Sequence, residues 1–217
     1  MSAVRWLFAK VVTTSSPFTS LWRGVATAAL VTCGWASPIL GAGPTANAAR
    51  PSTTTNEGSE LARSAATLFS EALSWSGQPS SVFFPLKAYE QVKAIANPSE
   101  DYRVRLLRGF DLDMGALHRL LAGYTTRPHF VEALDLAPAL SWVGPGECGN
   151  RLGYWHLPGL RLVYRVGGAT YSVAVLSMIS WQGRLYVVHL GAFVHANTGV
   201  VADFEKGPGA PWGPGGC

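Results

Sequence analysis

The stretch Tyr154–Gly191, YWHLPGLRLVYRVGGATYSVAVLSMISWQGRLYVVHLG, decides the fold of this chain. It consists of β-branched and aromatic runs that are separated by two short glycine-containing turns. A two-residue loop such as Gly167-Gly168, which accepts positive φ at both positions, is typical of a type I′ hairpin. Gln182-Gly183 marks a second tight turn. The stretch therefore predicts three antiparallel strands in a meander.

The two turns also predict which residues pair, because loop length fixes register. The predicted pairs are Tyr164–Tyr171, Leu162–Val173 and Leu160–Val175 around the first turn, and Ile179–Tyr186 and Val175–Leu190 around the second. One face is then fully apolar. The opposite face, here called the mixed face, carries Arg161, Val163, Arg165, Ser172, Ala174, Leu176, Met178, Val187, His189 and Gly191. We expect this face to be partly covered and to form the wall of any pocket.

Apolar residues at helical spacing precede the meander. They predict helices from Gly58 to about Trp75, from Pro85 to Ala96, and over Ser99–Phe110, where a strand is the alternative. A short helix with Asp113 as its N-cap and a strand over 129–136 follow. Helices followed by one antiparallel sheet predict an α+β fold, with the helices packed on a curved sheet. This order resembles the rolls of the NTF2-like and cystatin-like superfamilies.

The N-terminal segment has the composition of an export signal. Residues 1–48 contain three basic residues and no acidic one, an apolar run over 25–40, and then Ala46-Asn47-Ala48, a typical cleavage site. A retained anchor, or acylation at Cys33, is the alternative. With cleavage, residues 49–57 are a flexible linker, 58–205 a single domain and 206–217 a Gly/Pro-rich tail. We expect a secreted or cell-envelope protein without a transmembrane span in the mature chain.

The charge balance argues against a nucleic-acid partner. The whole chain carries a formal charge of +4, but three of its basic residues lie in the predicted signal. The remainder has fourteen basic and thirteen acidic residues, without the clustered positive surface that phosphate binding requires.

Two cysteines remain after signal cleavage, Cys148 and Cys217. In an oxidising compartment they predict a disulfide that ties the tail to the loop before the meander. Pairing between chains, or free thiols, is the alternative.

Candidate site residues come from the meander and the strand before it. His189 and Arg161 on the mixed face could serve acid–base chemistry together with a carboxylate, Asp135 or Glu132. The alternative is a half-buried histidine and an exposed arginine. His156 and Trp155 could stack on a planar ligand, while Leu176 and Met178 would contact a small apolar one. Filling the space between sheet and helices is the other explanation for these aromatic residues.

Motifs for other chemistries are missing from the sequence. The histidines and cysteines lack the short spacings of a zinc site, and no nucleophile or phosphate-loop motif occurs. We therefore expect neither a metal nor a cofactor.

Two segments, GYWHLPGLRLVY and SMISWQGRLYVVHLG, carry a family resemblance. They resemble conserved exported proteins of unknown function in actinobacteria, in particular mycobacteria, over roughly residues 148–191. The resemblance implies an exported protein without an assigned reaction. Our first hypothesis is a non-enzymatic domain that binds a small apolar ligand or an envelope protein. The alternative is an NTF2-like hydrolase or isomerase using His189, Arg161 and a carboxylate in a conical pocket. A purely structural element is the third.

Overall fold

The computed structural model describes residues 55–134, 140–191 and 197–210, with side chains from residue 59 onward. The helices are α1 (Thr55–Leu73), α2 (Leu86–Val92), α3 (Pro98–Asp101) and α4 (Arg108–Ala122). A π-helical turn, Tyr102–Leu107, joins α3 to α4 and makes one continuous helix. The strands are β1 (His129–Leu134), β2 (Ser141–Val143), β3 (Tyr154–Val166), β4 (Ala169–Trp181), β5 (Arg184–His189) and β6 (Ala202–Lys206). The prediction of an α+β fold is confirmed.

The six-stranded sheet is built around the β3–β4 hairpin. Strands β1 and β2 pair with β3, while β5 and β6 pair with β4, all of them antiparallel. The predicted hairpin around Gly167-Gly168 is confirmed pair by pair, from Tyr164 opposite Tyr171 to Leu160 opposite Val175. Only Gly167 of its two turn residues has a positive φ, so the predicted type I′ turn was wrong. Every other strand of the sheet therefore pairs with one of the two strands of this hairpin.

The second turn forms as predicted, but the pairing beyond it differs by one residue. Ile179 lies opposite Tyr186, as expected, whereas Ser177 lies opposite His189. Val188 is therefore the extra residue of a β-bulge. The backbone N–H of Leu176 donates to Leu190 at 3.2 Å, so the predicted pair of Val175 with Leu190 was wrong.

Aromatic side chains from the helices fill the space over the sheet. Phe69 of α1 packs against Tyr164 of β3, with ring centroids 5.4 Å apart. Phe83 precedes α2 and stacks on Phe110 of α4 at 4.3 Å. The segment around Phe83 also pairs in parallel with Val187, which extends the sheet beyond β5. The main core therefore joins helices to sheet through aromatic contacts.

The helices differ from the prediction in their boundaries: α2 ends at Val92 and not at Ala96, and the two helices predicted after it are one. Ser99–Phe110 is helical, which resolves the ambiguity between helix and strand. Asp113 was predicted to be an N-cap, and this was wrong because α4 begins at Arg108. Its carboxylate is fully buried and accepts hydrogen bonds from the backbone N–H groups of Gly191 (2.9 Å) and Val200 (2.7 Å). It therefore fastens α4 to the chain beyond β5.

Several predictions concern residues outside the described part of the chain. The signal over residues 1–48 and most of the linker lie there, as does the end of the Gly/Pro-rich tail. These remain predictions. Within the described residues, no helix combines the length and apolar character that crossing a membrane requires.

Asp113→Ala should lower the free energy of unfolding by about 2–3 kcal/mol, because two backbone N–H groups lose a charged acceptor. Urea denaturation measures the change. Asp111→Ala, at an exposed position of the same helix, is the matched control and should change stability little. Equal effects of the two substitutions would contradict the assigned role of Asp113.

Candidate functional site

A cleft of about 270 Å³ opens between α2, the π-helical turn and one end of the sheet. We call it the α2 cleft. Its apolar and aromatic walls are formed by Phe84, Tyr89, Val92, Leu106, Val143, Tyr154, Ile179 and Val188. Its polar lining consists of Lys93, Arg105, Cys148, His156, Ser177 and His189. The described lining residues include cations and neutral groups but no carboxylate.

Backbone hydrogen bonds fix the cleft walls at both ends of α2. Before the helix, the N–H of Phe84 donates to the carbonyl of Val187 at 3.0 Å. After the helix, the N–H of Arg151 donates to the carbonyl of Val92 at 2.7 Å. The helix is therefore held to the sheet edge on one side and to the loop before β3 on the other. These hydrogen bonds fix the position of this wall within the fold.

The cations of the cleft are held by neighbouring groups. Arg105 donates to the Asp101 carboxylate at 2.7 Å and to the Tyr89 hydroxyl at 2.9 Å, and the Tyr89 hydroxyl donates to Asp101. The Arg105 hydrogen bonds hold the pKa of Asp101 below its usual range. Lys93 donates to the carbonyl of Cys148 at 2.8 Å, and burial lowers the pKa of its ammonium group. Asp101 thus balances Arg105, while Lys93 has a carbonyl as its hydrogen-bond partner.

A histidine and a serine meet inside the cleft. The Nε2 atom of His156 on β3 lies 2.8 Å from Oγ of Ser177 on β4. Both residues are buried, at 7% and 4% exposure. Burial lowers the pKa of the His156 imidazole, which favours the neutral ring. His189 is the cross-strand neighbour of Ser177, so the cleft contains a serine and two histidines.

The structure separates the predicted binding residues. His156 lines the α2 cleft, but Trp155 packs against Trp142 at 5.4 Å between ring centroids. Met178 belongs to the main core, whereas Leu176 lies in a small separate cluster with two alanines. Neither Leu176 nor Met178 lines the cleft.

The predicted catalytic residues are also not brought together. His189 lines the α2 cleft, and Arg161 is fully buried elsewhere. Arg161 lies opposite Ala174 across the hairpin, whereas the Val188 bulge places His189 opposite Ser177. Glu132 is exposed on β1, the strand that pairs with β3. Asp135 lies outside the described residues.

Arg161 instead holds the C-terminal segment. Its guanidinium donates to Ser172 at 3.0 Å, to the backbone carbonyl of Asp203 at 3.0 Å and to that of Ala210 at 2.7 Å. It also pairs with the carboxylates of Asp203 and Glu205. We call this arrangement the Arg161 anchor. The tail predicted to begin at residue 206 is therefore fastened at its start.

Cys148 lines the cleft, while Cys217 lies outside the described residues, so their pairing remains a prediction. Across the described ranges, no group of three or more His, Cys, Asp or Glu side chains is arranged to hold a metal ion.

Comparison with known proteins gives no assignment for this α+β domain. No protein family, curated protein or solved structure matches the chain significantly. Any function must therefore be inferred from the geometry of the chain itself.

Protonation of His156 should make stability depend on pH. Because its pKa is lower in the folded state than the usual 6.5, the unfolded chain takes up a proton first as pH falls. The free energy of unfolding should therefore decrease below about pH 6.5. In His156→Gln the decrease between pH 7 and pH 5 should be shallower, as measured by urea denaturation. Exposed His129→Gln is the control, and an unchanged slope in His156→Gln would contradict the prediction.

Arg161→Met should loosen the C-terminal segment, because Asp203, Glu205 and the carbonyl of Ala210 lose their common donor. We expect a loss of about 2 kcal/mol and faster amide exchange in β6, followed by hydrogen-exchange mass spectrometry. Arg165→Met, at an exposed position of the same strand, is the control. If the amides of β6 exchange as slowly in Arg161→Met as in the unmodified protein, the Arg161 anchor does not hold β6 in place.

Proposed function

We propose that this domain binds a small amphipathic ligand with an acidic group in the α2 cleft. The observation that carries the proposal is the lining of the cleft, where apolar walls surround Lys93, Arg105 and two histidines and the described lining contains no carboxylate. An apolar pocket with a few converging polar groups is the usual form of a small-molecule site. The positive groups select for negative charge on the ligand.

Lys93 is the residue best suited to meet the acidic group. Burial lowers the pKa of its ammonium group, which means that the protein environment disfavours its charge. A bound carboxylate would favour the charged form, and by linkage this coupling contributes to affinity. Arg105 is already paired with Asp101 and contributes less net charge.

The volume of the cleft limits the ligand to a small molecule. Sites for drug-sized ligands measure about 300–1,000 Å³, and this cleft, at about 270 Å³, falls just below that range. A short-chain fatty acid or an aryl-alkanoic acid fits the size and the chemistry. The proposed ligand site lies under α2. The mixed face, where the sequence predicted a pocket, is occupied near β6 by the Arg161 anchor.

The fold type and the location of the protein belong to the same proposal. A six-stranded antiparallel sheet with helices packed over it supports a roll of the NTF2-like or cystatin-like kind, in which a pocket between helices and sheet is common. The export-type composition of residues 1–48 supports a secreted or cell-envelope protein. In that location the acidic ligand would be an extracellular or membrane-derived small molecule. The alternative to a small-molecule ligand is a partner protein of the cell envelope.

Binding of octanoate and of 4-phenylbutyrate tests the proposal by isothermal titration calorimetry. Lys93→Met should weaken octanoate binding about tenfold or more, since a charge-assisted hydrogen bond is lost. Lys87→Met, at an exposed position of α2, should bind as the unmodified protein does. No saturable binding of either acid, or equal loss in both variants, would refute the proposed function.

A further inference from the structure

We propose that Ser177 and His156 form a nucleophile and its general base, and that the α2 cleft hydrolyses small apolar carboxylic esters. The inference rests on the proposed function, because the pair lies in the same cleft and the acid released is the ligand class proposed above. The new element is a chemical step at a defined atom, Oγ of Ser177.

The geometry fits a nucleophile–base pair. Nε2 of His156 lies 2.8 Å from Oγ of Ser177, within the distance over which a hydroxyl proton is transferred. The two residues lie on adjacent strands of the central hairpin, where Ser177 pairs with Pro158 and His189. Strand backbones on both sides of Ser177 hold the side chains in place. Both residues line the cleft despite their low exposure, so a ligand in the cleft contacts them.

The protonation state of the pair suits this role. Burial lowers the pKa of His156, so the imidazole is neutral at pH 7. In the tautomer with the proton on Nδ1, Nε2 accepts the hydroxyl proton of Ser177. The other polar or ionisable side chains that line the cleft are Tyr89, Lys93, Arg105, Cys148, Tyr154 and His189.

The reaction has two balanced steps. Ser177 Oγ attacks the ester carbonyl carbon while His156 takes the hydroxyl proton; the bond to the leaving alkoxide then breaks, and the alkoxide leaves with that proton. Water attacks the acyl carbon while His156 accepts a proton from it; the bond from the acyl group to Oγ breaks, and Ser177 regains its proton. The net change is one ester and one water to one acid and one alcohol.

The charge of the cleft favours both steps. Negative charge develops on the carbonyl oxygen in each transition state, and fixed positive groups nearby lower its energy. Lys93 provides that charge in the lining, with a smaller contribution from Arg105, which is paired with Asp101. The same groups disfavour a bare cationic substrate, so we infer neutral or anionic esters.

Covalent labelling of the whole 217-residue chain is the first test. A small alkyl fluorophosphonate reacts with activated serines, and peptide mapping by mass spectrometry should place the adduct on Ser177. The unmodified protein should also hydrolyse 4-nitrophenyl butyrate. Because this test needs no substitution, it holds even if a variant fails to fold. Absence of an adduct on Ser177 overturns the inference.

Variants separate a catalytic role from a structural one. Ser177→Ala should abolish labelling and lower the rate of ester hydrolysis about 100-fold or more. His156→Gln should lower the rate of hydrolysis to a similar extent. Ser180→Ala is the matched control, a buried serine of the same strand outside the cleft lining. The labelling rate of the unmodified protein should rise with pH as His156 loses its proton, and this dependence should vanish in His156→Gln. A purely structural pair would change stability alone.

Failure of this inference is distinguishable from failure of the proposed function. Octanoate binding without a Ser177 adduct overturns the hydrolase and leaves the ligand site intact. Loss of both overturns both. An adduct on Ser177 in a protein that binds no octanoate supports the nucleophile and overturns the acidic-ligand site.

Discussion

The pairing of β3 with β4 is the constraint on which the rest of the structure depends. Each strand has thirteen residues, and the ladder runs from Val166 opposite Ala169 to Trp155 opposite Ser180 without a change of register. Every other strand pairs with one of these two. The turn at Gly167, where φ is 58°, therefore positions side chains at the far end of the hairpin. His156 and Ser177 lie at that end.

The parts of the fold that the sequence predicted are those that depend on local signals. A glycine turn between β-rich runs predicted the first hairpin, and apolar spacing predicted α1, but over Ser99–Phe110 the spacing left both helix and strand open. The bulge at Val188 could not be predicted from the sequence. Val187 and Val188 are adjacent and identical, so the sequence does not show that one of them is an extra residue. Asp113 looked like a cap because aspartate is a preferred N-cap residue. The backbone N–H groups that it accepts from belong to Gly191 and Val200, 78 and 87 residues further along, and no local signal links them to it.

The site was predicted only in part for the same reason. His156 was chosen for its aromatic neighbours and does line the cleft, but Ser177 lies in an ordinary strand sequence without a nucleophile motif. Arg161 was expected to act together with His189 on the mixed face. Its partners Asp203 and Glu205 come from β6, 42 and 44 residues later, and no local signal links them to it. The lining of the cleft comes from several separate segments of the chain. The excess of basic over acidic side chains in it is therefore visible only in the folded structure.

The π-helical turn between α3 and α4 bears on how this architecture could vary. Such a turn contains more residues than a regular helical turn. Removing one residue from Tyr102–Leu107 would convert the turn to regular α-helix, in which successive residues are rotated by about 100°. The side chains within the turn would then change direction, while the helix on either side keeps its own orientation. Arg105 and Leu106 face the cleft, whereas Phe110 packs in the core. A single-codon deletion would therefore change the wall that Arg105 and Leu106 give the α2 cleft and leave the core contact of Phe110 in place.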